Sequence, residues 1–113
     1  MLTIDKLKTY GADVETGVSR CAGNENLYLR LVGVCLQELG SAELESCLRA
    51  GELDKAFETA HKLKGGVTNL ALTPIAEPVC ELTELLRNKT PGDYEGLCRE
   101  IALKTKQLAD LSE

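Results

Sequence analysis

Apolar residues recur at every third or fourth position through nearly the whole chain, and the breaks between these segments are short and carry Gly, Asn, Ser, Thr or Pro. A period near 3.6 residues suits an α-helix and conflicts with the strict alternation of a half-buried strand. Tight connections keep each helix beside the next. The pattern therefore predicts an all-α chain, an antiparallel up-down four-helix bundle with additional short N-terminal helices. With one Phe, three Tyr and no Trp in 113 residues, the core has to be assembled from Leu, Val, Ile and Ala, which packed helices accommodate. A hydrophobic content of 43% is enough for one core, and no repeat or long linker divides the chain, so a single domain over residues 1–113 is expected.

The elements can be placed in order. Short helices over residues 3–8 and 13–22 read as a lid on the bundle, the second closed by Gly23 and Asn24. Residues 25–39 carry Leu27, Leu29, Leu31, Val32, Val34, Cys35, Leu36 and Leu39 and are apolar on more than one face. That segment is expected to be the most buried helix, with a monomer preferred to a dimer that would use it. Ser41 is placed to cap a helix reaching residue 50, and Gly51 turns the chain. From residue 52 to 71, Leu53, Ala56, Phe57, Ala60, Leu63, Val67 and Leu70 form one amphipathic stripe. Thr73 as cap and Pro74 as first residue start a helix to residue 88, whose beginning Pro78 should delay or kink. After a loop at residues 89–93, Tyr94, Leu97, Cys98, Ile101, Leu108 and Leu111 define the last helix.

Several function classes are disfavoured. A formal net charge of −5 suits no polyanionic partner, so nucleic acid binding is not expected. No stretch approaches the roughly 20 apolar residues that span a bilayer, and residues 1–15 hold no signal-peptide run, so a soluble, cytoplasmic protein without membrane contact is expected. The five cysteines, Cys21, Cys35, Cys47, Cys80 and Cys98, are odd in number and widely spaced, with one histidine to join them as a ligand. Free, mostly buried thiols are expected rather than a metal or disulfide framework.

The one histidine, His61, lies in the run Ala60-His61-Lys62-Leu63-Lys64-Gly65-Gly66, inside a helix. Two glycines in a helix interior cost roughly 1 kcal/mol each relative to alanine, and close approach of another surface would compensate for them. At about 100° per residue, His61 falls roughly 110° from the centre of the apolar stripe and should be at least partly exposed. Gly65 lies one turn beyond it and leaves the imidazole open to a docking protein. Lys64, nearer the stripe, can run its stem along the core edge and bring its ammonium outward. A neutral imidazole is a competent nucleophile, and a nearby ammonium can neutralise an attached phosphoryl group. The chain has no GxxxxGKS/T loop, no glycine-rich nucleotide motif and no evident acidic cluster for Mg²⁺, so it is not expected to make phosphohistidine from ATP by itself.

The run from Ala60 to Gly65, followed by Asn69-Leu70, resembles the signature of histidine-containing phosphotransfer (HPt) domains of two-component phosphorelays. Gly17-Val18-Ser19-Arg20, Gly23-Asn24, Leu27-Tyr28 and Leu31 resemble the family's N-terminal segment, and Ile75, Val79, Cys80 and Leu82 fall at apolar positions of its next helix. The resemblance implies that His61 is the phosphoacceptor, through Nε2, and that Lys64 stabilises the phosphoryl group. It also implies that Gly65 leaves room for the partner. Lys62, Gly66 and Asn69 are further candidates for contact with it. The implied partners are response-regulator receiver domains and a hybrid sensor histidine kinase. The chain would bind no cofactor of its own, since the receiver brings the Mg²⁺, and would be a phosphocarrier rather than an enzyme. Ala71 replaces an expected family glycine and Pro78 interrupts the next helix, which bears on the geometry after Leu72. The rival reading is a helical adaptor that binds receivers or kinases without being phosphorylated.

Overall fold

In a computed structural model describing residues 1–113, the chain forms seven α-helices. They are α1 (Ile4–Tyr10), α2 (Val14–Arg20), α3 (Glu25–Leu39), α4 (Glu43–Arg49), α5 (Leu53–Asn69), α6 (Thr73–Arg87) and α7 (Tyr94–Leu111). Four begin where a short polar side chain accepts a hydrogen bond from a backbone N–H of the first turn: Thr3, Asp13, Asn24 and Asp93. Asn24 thus opens α3 instead of closing α2. Two expected caps sit one residue off. Ala42 and Leu72 hold the N-cap positions, although Ser41 Oγ still accepts from the Glu43 N–H at 3.2 Å. Thr73 and Pro74 are the first two residues of α6.

Helices α3, α5, α6 and α7 form the bundle. Lys89 pairs with Asp54 and Glu84 with Lys64, which runs α6 antiparallel to α5. Tyr28 reaches Leu70 while Cys35 faces Gly66, which runs α3 antiparallel to α5 as well. Helix α7 packs on α6, and α3 closes the ring against α5 and α7, giving the expected up-down order. Helix α4 lies on α5 within the α3–α5 connection.

Helices α1 and α2 cover the end of the bundle at the α5–α6 turn. Tyr10 donates its hydroxyl to the Lys104 carbonyl (2.8 Å), the Asp13 N–H bonds the Ala71 carbonyl (2.9 Å), and Arg20 Nη1 donates to the Thr68 carbonyl (2.5 Å). These bonds tie the N-terminal segment to α7 and to the C-terminal end of α5, the helix that carries His61.

One core cluster of 22 buried residues draws on all seven helices. Its distribution corrects the expectation for α3. Helix α3 buries one stripe, Tyr28, Val32, Cys35 and Leu39, and leaves Leu31 36% and Val34 48% exposed. The most buried helix is α6, which lies between α5 and α7 and buries Ile75, Pro78, Val79, Leu82, Thr83 and Leu86. Pro78 neither delays nor kinks α6 enough to interrupt it. It removes one backbone bond, and its ring is buried in the core. The five cysteines are free, with Cys21 and Cys35 buried and the other three half-buried. Burial pushes the Cys35 thiol up to about 11, an unreactive state at neutral pH.

The α5–α6 turn explains the departure at Ala71. The Leu72 N–H bonds the Val67 carbonyl and the Ala71 N–H bonds the Thr68 carbonyl, the double closure of a Schellman motif. Its pivot, Ala71, has φ +54°, in the left-handed region where a β-carbon is strained. Glycine is therefore the better residue there, and the turn forms without it. Ala71→Gly is expected to raise stability by about 0.5–1 kcal/mol, the relief of strain exceeding the added freedom of the unfolded chain. Urea unfolding measures this; a loss of stability would show that Ala71 is unstrained.

Candidate functional site

Helix α5 carries the candidate residues, and its wheel decides what each one meets. Ala56, Ala60, Leu63 and Val67 face the core. His61 is exposed, as its position about 110° from the stripe requires. One turn before it, the half-buried Phe57 lies under the imidazole, with ring centroids 5.6 Å apart and an interplanar angle of 20°. This stacked geometry holds the imidazole against the helix surface without engaging either ring nitrogen.

One turn after His61, Lys64 is half-buried, and its ammonium stands 3.7 Å from Glu84 Oε1 on α6. The same carboxylate oxygen lies 3.4 Å from Arg87 Nε. The Arg87 guanidinium lies over Phe57, 5.2 Å from the ring centroid. The candidate site is thus a circuit of linked contacts across two helices: His61 on Phe57, Phe57 under Arg87, Arg87 and Lys64 both on Glu84. Two cations and one carboxylate flank an exposed imidazole.

Gly65 opens the other side. A β-carbon built there would meet nothing within 4 Å, so the surface one turn beyond His61 is unobstructed. Gly66 is set differently, toward α3. A β-carbon there would lie 3.3 Å from Cys35 Sγ, so Gly66 serves the packing of α5 against α3. Five residues beyond His61 is about 140° around the helix, which was legible in the spacing. The two glycines therefore differ in purpose, one internal and one open.

Lys62 is exposed but faces away from the circuit, lining a shallow cleft with Glu38, Ser41 and Glu43 on the α4 side. Asn69 is exposed at the end of α5, where its carbonyl accepts from Arg20 Nη1 at 3.4 Å. The structure gathers His61, Lys64 and Gly65 on one surface, and sets Lys62, Gly66 and Asn69 apart from the charged circuit. Phe57, Glu84 and Arg87 were missed as site residues. Phe57 stood one turn before His61, a signal present in the sequence but read as core. Glu84 and Arg87 carried no such signal, because only the register of α6 on α5 brings them there.

A cavity of about 570 Å³ lies elsewhere, as an open groove between α4 and α7 lined by Leu48, Arg49 and Cys98 among others. It shares no residue with the His61 circuit. A side chain that exchanges a group with another protein has to be accessible, so the α5–α6 face with its exposed His61 is the stronger candidate. No helix is long and apolar enough to cross a membrane.

Comparison with known proteins agrees with this geometry. The family model described as the Hpt domain matches residues 26–111, from α3 through the last turn of α7. No curated protein and no solved structure matches the chain. The matched segment includes the four bundle helices and the whole His61 circuit, and the chain belongs to the Hpt domain family.

Proposed function

We propose that His61 is the phosphoacceptor of a phosphorelay carrier, which takes a phosphoryl group from a receiver-domain aspartate or a sensor kinase and passes it to the aspartate of a response-regulator receiver. Hpt domains are phosphocarrier modules of two-component phosphorelays, not kinases, and they work with receiver domains and kinases. The observation that carries the reading is the exposed imidazole of His61 between a cation pair and the open surface at Gly65. In the transfer, the unprotonated ring nitrogen attacks phosphorus with its lone pair. The phosphorus–aspartyl oxygen bond breaks, the aspartate leaves as a carboxylate, and the ring keeps its proton on the other nitrogen. No proton has to be removed, so no general base is required of this chain. Lys64 and Arg87 supply positive charge where the phosphoryl oxygens collect, and the receiver supplies Mg²⁺.

The test is incubation of the pure chain with a phosphorylated receiver domain and Mg²⁺, followed by mapping of the label. Acid-labile, alkali-stable phosphate on His61 is the expected result. Binding across a panel of receivers without any label would replace this reading with the adaptor.

A further inference from the structure

Resting on the carrier reading above, we propose that Glu84 is a positioning residue that sets how strongly His61 retains its phosphoryl group, by holding Lys64 and Arg87 when His61 is empty and competing with the phosphoryl group for them when it is full. One carboxylate oxygen serves both cations, at 3.7 Å from Lys64 Nζ and 3.4 Å from Arg87 Nε. Neither is a close contact, in contrast to the 2.6 Å pair of Arg49 and Glu45. All three side chains are partly exposed, so either cation can turn from Glu84 to a new anion at little cost.

The charges decide the consequence. Lys64, Arg87 and Glu84 together carry one net positive charge. A phosphoryl group brings about two negative charges and the ring that keeps its proton offsets one, so with Glu84 present the site is just neutral. Without Glu84, Lys64 and Arg87 would leave one positive charge to hold the phosphoryl group more tightly. Glu84 therefore competes with the phosphoryl group for the same two partners. A carrier must release what it accepts, and a site complementary to the phosphorylated state would hold the group instead of passing it on.

The experiment is the equilibrium division of label between this chain and one receiver domain that exchanges phosphoryl groups with it, for the wild type and for Glu84→Gln. An equilibrium between the separated proteins is independent of how well they dock, whereas a rate is not. Glu84→Gln is expected to shift the division toward the carrier by about two- to five-fold, the scale of an exposed ion pair. Thermal melting should change little. The shift should shrink in about 1 M salt, where charges are screened within about 3 Å, and vanish when Lys64 and Arg87 are both alanine. An unmoved equilibrium, a shift toward the receiver, or the same shift without Lys64 and Arg87 would overturn the role of Glu84 and leave the carrier reading standing. Failure of the wild-type chain to take label from any receiver in the panel overturns both.

Discussion

A His61→Gln chain is expected to take up no phosphate from any phosphorylated receiver, while its helices melt almost as the wild type does. The loss should be complete rather than graded, because the label resides on the imidazole and glutamine offers no ring nitrogen. Neighbouring groups tune that nitrogen, but none of them replaces it. The cost to stability should be small. His61 is exposed, and the contact it gives up is the stack on Phe57, worth about 1 kcal/mol or less at a solvated position. Labelling and circular dichroism on the same preparation check both halves. Residual acid-labile phosphate would show a second acceptor, and global unfolding would show that His61 is a structural residue.

The largest effect on stability should come from Gly17→Ala, far from the chemistry. Gly17 is buried in α2, and a β-carbon there would lie 2.3 Å from Tyr28 Cε1 and 2.7 Å from the Leu70 carbonyl oxygen. Tyr28 cannot retreat freely. Its ring is fully buried, its hydroxyl donates to the Leu70 carbonyl at 2.9 Å, and burial holds that hydroxyl up at about 12, so it remains a donor throughout the physiological range. The added methyl must either displace the ring, breaking that buried hydrogen bond, or push α2 away from α3 and the end of α5. Overpacking of about 1–3 kcal/mol and a lost buried hydrogen bond of about 1 kcal/mol give an expected destabilisation of about 2–4 kcal/mol. For a chain of this length the melting temperature should fall by on the order of 10 °C. Urea unfolding is the measurement, and a midpoint within error of the wild type would mean that α2 shifts without cost.

These two positions show how stability and chemistry are divided across the molecule. Gly17, Tyr28 and Leu70 join α2, α3 and the end of α5, and Arg20 adds its bond to Thr68 from the same short helix. That end of the bundle is tightly packed around Tyr28 and Leu70. Two turns away along α5, the surface around His61 is open at Gly65 and held by ion pairs longer than 3 Å. A rigid end and an adaptable face suit a helix that has to present one side chain to more than one partner.

By itself the sequence determined the seven helices and the exposure of His61, because both follow from local periodicity: a 3.6-residue repeat marks each helix, and the angle from the apolar stripe places one side chain on it. It also supplied Lys64 and Gly65, each within a turn of His61. Only the tertiary structure decided that α6 is more buried than α3, since both carry apolar stripes and each lies between two long helices, but α6 packs against its neighbours far more extensively. It separated Gly66, pressed on Cys35, from Gly65, open to solvent. Above all it decided the charges around the imidazole. Glu84 and Arg87 are more than twenty residues from His61 in the chain, and they reach its surroundings only through the antiparallel register of α6 on α5. That register is set by the fit of the entire core, a sum of many contacts to which no local pattern corresponds.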